Sequence, residues 1–277
     1  MQNARAWKAS EGEKNMSLEE TIYKILGWKV LASAKIGGKD VVVVRKKNRV
    51  ELVYDHIIHS QIFDESIFTH QYWDYLLPLP AMFRRPRVLI MGLGGGTMPY
   101  QMKKIFGKKV LIEVVEKSPE MVKLSKTFLP KKLDAKITIS EGISYVRKKR
   151  SEYDIIISDI YVGGRIPEEL YLKKSAKYVH GALSKDGIFA VNYALTMNSA
   201  IRKKELLSML GKYFKVYEID YPGGRGNEII ICSKKYLCDE IISEVSNYFS
   251  NIPESRFLVK AYSGMKEVRH SHPRHTV

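Results

Sequence analysis

From Val88 onward the sequence alternates short apolar runs with amphipathic stretches. The apolar runs are VLIMG, VLIEVVE, KITIS, YDIIISD and GIFAVNY. Each is followed by a stretch with helical spacing, which in order are TMPYQMKKIFG, SPEMVKLSKTF, GISYVRKKR, PEELYLKKSAKYV and residues 198–211. Continuously apolar strands joined by helices are typical of parallel sheets covered on both faces. The pattern therefore predicts an α/β fold with a mostly parallel, doubly wound sheet.

The end of this region breaks the alternation. The runs KVYEIDY and EIIICSK are separated by PGGRGN, with no helix between them. Two strands joined by a glycine-rich turn predict an antiparallel hairpin. A parallel sheet that finishes with such a hairpin resembles the Rossmann-like fold of the class I S-adenosylmethionine-dependent methyltransferases.

The preceding part of the chain has a different texture. Ser17 and Glu20 have the spacing of a capping box at the start of a helix. The runs VVVVR, VELVY and HIIHSQIF then predict short strands, and SIFTHQYWDYLL predicts an aromatic-rich helix. The chain divides into five predicted parts, which are a disordered tail (1–15), a small helix plus β-rich N-terminal module (16–63), a bridging helix and loop (64–84), a Rossmann-like nucleoside-binding catalytic domain (85–250) and a basic C-terminal segment (251–277).

The composition narrows the classes of partner. Lys and Arg number 46 against 30 Asp and Glu, a formal net charge of +16, which favours anionic partners such as nucleic acid. The basic residues are scattered in pairs and triples, as on solvated helix faces. No apolar run approaches the roughly 18 residues that a membrane span needs. Cys232 and Cys238 give no disulfide framework and are expected to be reduced thiols. We expect a cytoplasmic protein that does not bind membranes.

Glycines interrupt the chain where the first parallel strand ends. Gly92, Gly94, Gly95 and Gly96 lie between the run VLIMG and the following helix. Without Cβ atoms, their N–H groups can approach a ligand at the positive end of a helix. A tight structural turn is the alternative interpretation.

Acidic residues close the next two strands. Glu116 lies 24 positions after Gly92, near the spacing at which a carboxylate holds ribose hydroxyls. Glu141 closes the third strand, where its carboxylate can accept a hydrogen bond from an adenine amino group. A solvated charge at a strand end is the alternative for both residues.

Several stretches in order resemble the spermidine synthase family, the polyamine aminopropyltransferases. The resemblance runs from about residue 50 to 234 and is carried by LPLPAMFRRPRVLIMG, VVEKSPEMVKLSKTFLP, SEGISYV, IIISDIY and YPGGRGNEIIICSKK. The family transfers an aminopropyl group from decarboxylated S-adenosylmethionine to a diamine. The resemblance also implies a homo-oligomer, a dimer or larger.

The resemblance implies roles for individual residues. Asp159 matches the general base and Tyr221 the tyrosine that supports it. A protonated amine has no lone pair, so a carboxylate must take its proton before it attacks carbon. The residues that the resemblance adds to the donor site and the acceptor pocket are Gln61, Glu116, Glu141 and Gly142 for the donor, and His70, Gln71, Tyr72 and Tyr161 for the acceptor.

Three positions depart from the family pattern. The loop aspartate is replaced by Gly95, the glutamate of the Tyr-Gln-Glu stretch by Tyr72, and the second catalytic aspartate by Val162. Each loss removes a carboxylate that would face a cationic substrate. A charge-assisted hydrogen bond contributes about 1.5–3 kcal/mol. The acceptor pocket is therefore expected to be altered.

Three functional hypotheses follow. The first is an aminopropyltransferase with an altered acceptor pocket that takes a small-molecule amine. The second is a methyltransferase that uses S-adenosylmethionine on an unknown acceptor, with anionic acceptors among the candidates. The third is a non-catalytic nucleoside-binding protein with a basic surface for nucleic acid. No metal is expected, because the histidines of the tail RHSHPRH have no cysteine or acidic companions.

Overall fold

The computed structural model describes residues 16–161, 166–195, 199–220 and 226–268. Its N-terminal part is helix α1 (Leu18–Ile25) followed by a four-stranded antiparallel sheet in the order β1-β2-β3-β4. The strands of this sheet are β1 (Lys29–Ile36), β2 (Lys39–Lys46), β3 (Arg49–Tyr54) and β4 (Ile57–Phe63). The Ser17 side chain caps α1, and Glu20 closes the capping box that the sequence predicted.

The larger part of the chain is built on an eight-stranded sheet. Its strands are β5 (Arg87–Met91), β6 (Leu111–Glu116), β7 (Lys136–Ile139), β8 (Tyr153–Ser158), β9 (Leu183–Ala194), β10 (Lys215–Asp220), β11 (Asn227–Ser233) and β12 (Lys266–Glu267). Their order is β12-β10-β11-β9-β8-β5-β6-β7. Strands β5 to β9 run parallel, whereas β11 runs antiparallel to both β9 and β10. The predicted parallel sheet with a closing antiparallel hairpin is confirmed.

Helices cover both faces of this sheet. They are α2 (Thr97–Phe106), α3 (Pro119–Phe128), α4 (Gly142–Val146), α5 (Lys173–Ala182), α6 (Ser199–Leu210), α7 (Cys238–Phe249) and α8 (Arg256–Ser263). Along β5, Val88 and Ile90 belong to one apolar core, and Leu89 and Met91 belong to the core on the other face. Because side chains alternate along a strand, the uninterrupted run VLIM requires apolar cover on both sides.

The run of four valines in β2 places the small sheet between two partners. Val41 and Val43 pack with residues of α3, while Val42 and Val44 pack with Tyr23 of α1 and with Trp28, which precedes β1. All four valines are fully buried. The N-terminal sheet is therefore packed against the helix that follows β6, close to the carboxyl edge of the large sheet.

The prediction of an aromatic-rich helix for SIFTHQYWDYLL is wrong. This stretch contains one short 3₁₀ helix, Tyr72–Leu76, and a second, Leu79–Met82, follows it. The buried Asp74 carboxylate accepts hydrogen bonds from the Thr69 and His70 amides, each at 2.7 Å, and His70 has a left-handed φ of 58°. These side-chain bonds capture amides that an α-helix would use.

Residues after Ser250 pack into the apolar core that contains Val88 and Ile90. Leu258 and Tyr262 of α8 are fully buried, and the Tyr262 hydroxyl donates to the Tyr75 carbonyl oxygen at 2.9 Å. Cys232 and Cys238 are both unbridged. Within the ranges given above, no helix has the length and apolar character to cross a bilayer.

Candidate functional site

A cavity of about 440 Å³ lies at the carboxyl ends of the parallel strands. Its floor comes from residues that follow β5, β6, β7 and β8. The N-terminal module closes the opposite side with the turn after β1 and with Tyr54 and His59. In open α/β sheets, ligands bind beyond the carboxyl ends of the strands. This cavity has the same location.

Gly92 lies at the centre of this edge, in contact with the ends of β6 and β8. Its amide donates to the Val115 carbonyl oxygen at 2.8 Å, and its φ is 97°. A Cβ atom at this position would lie 2.3 Å from the Asp159 carbonyl oxygen. Only glycine allows the ends of β5, β6 and β8 to approach so closely, which brings Asp159 beside the glycine loop.

The other loop glycines do not share one role. Gly94 lines the cavity, whereas Gly95 and Gly96 do not. The Gly95 amide donates to Ser60 Oγ at 2.7 Å, so it bonds to the N-terminal module. A Cβ atom at Gly95 would lie 2.7 Å from the Phe128 ring. The space for a side chain at this position is therefore filled by Phe128.

Glu116 is held at the mouth of the glycine loop. One carboxylate oxygen accepts from the Leu93 amide at 3.0 Å, and the other accepts from the Ser118 amide at 2.9 Å. A carboxylate has about four acceptor positions, so two remain for hydroxyl donors. Glu141 and Gly142 line the same side of the cavity at the start of α4.

Asp159 follows β8 and faces the cavity from the other side. Its Oδ1 accepts from Asn192 Nδ2 at 2.8 Å, and its Oδ2 accepts from the Tyr72 hydroxyl at 3.4 Å. The Asn192 amide oxygen in turn accepts from Asn227 Nδ2 at 2.7 Å, which fixes the orientation of Asn192. Burial raises the pKa of Asp159 to about 6, although hydrogen bonds from Asn192 and Tyr72 oppose the rise.

Of the four residues predicted to form the acceptor pocket, two line the cavity and two do not. Tyr72 and Tyr161 line the cavity, and the Tyr161 hydroxyl donates to the Asn192 carbonyl oxygen at 2.6 Å. His70 and Gln71 do not line it, and the His70 ring lies 4.4 Å from that of Phe257.

Gln61 also lies outside the cavity lining, contrary to the expected donor contact. It is buried, and its side-chain amide donates to Glu51 at 2.8 Å. Instead, His59 lines the cavity. Ser60 pairs with Leu52 and Ile58 with Val53, so His59 is the extra residue of a β-bulge. The bulge changes which residue of β4 faces the ligand.

The sequence reasoning missed Asn192. Asn192 carried a signal, because it is a polar residue near the carboxyl end of the apolar run GIFAVNY. From the sequence, His59 is expected near the pocket mouth as a packed or surface histidine; its place in the cavity lining depends on the bulge, which requires pairing with β3. Tyr221, Val162 and the histidines of the C-terminal tail lie outside the described residues.

Comparison with known proteins finds relatives of two kinds. Polyamine aminopropyltransferase of Clostridium botulinum is 31% identical over 173 residues, covering 55% of this chain and 59% of that protein. Polyamine aminopropyltransferase 1 of Aquifex aeolicus is 28% identical over 229 residues, covering 76% and 80%. The eEF1A lysine and N-terminal methyltransferase of Danio rerio is 28% identical over 162 residues, covering 53% and 23%. The chain thus spans less than two thirds of the first and third of these relatives.

Solved structures share the fold. A probable spermidine synthase from Corynebacterium glutamicum superposes with a TM-score of 0.67 at 17% identity, covering 88% of this chain and 97% of that chain. Human methyltransferase-like protein 13, in complex with SAH, gives a TM-score of 0.55 at 18% identity, covering 76% and 98%.

The family model of the spermine/spermidine synthase domain matches residues 69–222, more than half of the chain. The matched range includes the glycine loop, Glu116, Glu141 and Asp159. The chain therefore belongs to the spermine/spermidine synthase family.

Proposed function

We propose that the chain transfers an aminopropyl group from decarboxylated S-adenosylmethionine to an amine acceptor. The observation that carries this proposal is the Asp159 carboxylate, which is held by Asn192 and Tyr72 and opens on the same cavity as Glu116. Two relatives named polyamine aminopropyltransferases support the same reaction class. The donor and acceptor identities are part of the proposal.

The donor nucleoside binds in the half of the cavity formed by the ends of β5, β6 and β7. Glu116 accepts hydrogen bonds from the two ribose hydroxyls, since its carboxylate retains acceptor positions after binding two amides. Glu141 and Gly142 contact the adenine. The backbone of Gly92 and Gly94 allows close approach of the nucleoside.

Asp159 acts as the general base. The acceptor ammonium gives a proton to its carboxylate, and the freed nitrogen lone pair attacks the methylene carbon next to the sulfonium. A C–N bond forms, and the C–S bond breaks with its electrons passing to sulfur, so neutral methylthioadenosine leaves. A pKa of about 6 leaves Asp159 ionised at neutral pH while keeping its basicity near the working pH. Tyr221 supports this step on the family resemblance alone.

Calorimetric titration with decarboxylated S-adenosylmethionine and, separately, with S-adenosylmethionine tests the proposal. We expect tighter binding of the decarboxylated donor. The Glu116→Gln variant should bind it about tenfold more weakly, and the variant Glu244→Gln, an exposed residue on α7, should bind it as the wild type does. Absence of binding to either donor would remove the proposal.

A second candidate is methyl transfer from S-adenosylmethionine. The observation that favours it is the loss of the loop carboxylate at Gly95, whose side-chain space Phe128 fills, together with Lys39 and Lys117 in the cavity lining. The extra carboxylate of S-adenosylmethionine suits these lysines better than it would suit an aspartate. Tighter binding of S-adenosylmethionine, with S-adenosylhomocysteine as the product, would establish this candidate in place of the first.

A further inference from the structure

We propose that the acceptor is a monoamine, with one ammonium group on an apolar or neutral body, rather than a diamine. This inference rests on the proposed aminopropyl transfer. It concerns the acceptor half of the cavity, which we define by His59, Tyr72, Asp159, Ile160 and Tyr161.

The acceptor half contains one carboxylate. Among the described residues that line the cavity, the carboxylates are Glu116, Glu141 and Asp159. Glu116 ends β6 and Glu141 follows β7, both on the donor side. Among the described residues of the cavity lining, Asp159 is thus the acidic group on the acceptor side.

Asp159 has to serve the reacting nitrogen of the acceptor. It accepts from Asn192 and Tyr72, and it must receive the proton of the attacking nitrogen. The donor adds a sulfonium and an ammonium to the same cavity. A second ammonium at the far end of a diamine would lose its water shell without gaining an anionic partner, which is unfavourable for any buried charge.

A bulky neutral side chain stands where the family pattern has an acid. Tyr72, which lines the cavity, stands at the position of the lost glutamate. The Tyr72 ring packs edge-on against Trp73, with centroids 4.9 Å apart. Burial lowers the pKa of His59, so this side chain is neutral at pH 7 and offers no charge to a second ammonium. These walls suit a methyl or methylene group.

The test compares two acceptors of equal size, n-pentylamine and 1,4-diaminobutane, which differ in a terminal methyl against a terminal ammonium. Turnover of decarboxylated S-adenosylmethionine is followed by release of methylthioadenosine. We expect kcat/KM to be at least about tenfold higher for n-pentylamine with the wild-type protein, as for loss of one charge-assisted partner. Tyr72→Glu should reverse or abolish this preference, and Tyr72→Phe should keep it.

The ratio of the two kcat/KM values separates the outcomes. Equal or preferred use of the diamine by the wild type would overturn the monoamine inference, while the aminopropyl transfer itself would stand. Such a result would mean that the aromatic walls hold the second ammonium by cation–π contact. If neither amine releases methylthioadenosine although the donor binds, the proposed function and this inference fail together. The wild-type ratio decides the matter even if Tyr72→Glu does not fold.

Discussion

Replacing the Asp159 carboxylate by an amide should stabilise the protein at neutral pH while removing its activity. In the folded chain this carboxyl holds its proton up to about pH 6, against an ordinary aspartate pKa of 3.8. The raised pKa of Asp159 therefore makes its full contribution to the free energy of unfolding only below about pH 4, and this contribution is lost as the pH rises to 6. The difference corresponds to about 3 kcal/mol, an upper figure because the side chain also faces the cavity.

The Asp159→Asn side chain can keep both contacts of the carboxylate. Its amide oxygen can accept from Asn192 Nδ2, and its amide nitrogen can donate to the Tyr72 hydroxyl, which rotates to accept. We expect the free energy of unfolding of the variant, minus that of the wild type, to increase by about 1.5 kcal/mol between pH 5 and pH 8. Urea unfolding at several pH values measures this difference. A difference that stays constant from pH 5 to 8 would refute the reasoning.

Asp74 provides a matched control, because burial also raises its pKa to about 6. Its carboxylate accepts from the Thr69 and His70 amides and from Gln101 Nε2, all at 2.7 Å. An amide nitrogen at this site would face a donor, so Asp74→Asn should be less stable than the wild type at pH 5 by about 1–3 kcal/mol. Asp159→Asn should show no such loss at the same pH.

Three further predictions concern the loop and the cavity. Gly95→Ala should lower the free energy of unfolding by about 1–3 kcal/mol because its Cβ would press on Phe128, whereas Gly181→Ala, with no atom within 4 Å of the added methyl, should be neutral or stabilising by urea unfolding. The kcat/KM for aminopropyl transfer should rise as the pH passes through about 6, the pKa of Asp159, and a pH–rate profile that is flat from pH 5 to 8 would contradict its role as the base. Glu116→Gln should raise the donor Kd by about tenfold by calorimetry, and an unchanged Kd would contradict the ribose contact.

Local signals in the sequence were sufficient for much of the fold. The capping box at Ser17 specifies a helix start, and the glycine-rich sequence PGGRGN between two apolar runs specifies the antiparallel pairing of β10 and β11, in each case from neighbouring residues alone. The aromatic stretch 66–77 could not be predicted in this way, because the Asp74 carboxylate captures amides that its helical spacing would use. Helical spacing describes the preference of a segment and does not reveal a competing buried acceptor.

Cavity-lining residues at the ends of the parallel strands were predictable from the sequence. Those that depend on the register between β3 and β4 were not. Glu116, expected from its spacing after Gly92, and Asp159, expected from the family resemblance, both line the cavity because parallel strands bring their carboxyl ends to one edge. Gln61 was assigned to the donor, but the β-bulge at His59 puts the histidine in the cavity lining. The expected oligomer, the cytoplasmic location and the nucleic-acid alternative stay predictions from the sequence.

The most direct test of aminopropyl transfer is mass analysis of the products formed from decarboxylated S-adenosylmethionine and an amine. With the wild-type protein we expect methylthioadenosine and an acceptor heavier by one aminopropyl group, in equal amounts. The Asp159→Asn variant should bind the donor but form both products at least about a hundredfold more slowly. Formation of neither product by the wild type, or unchanged turnover by Asp159→Asn, would contradict the account.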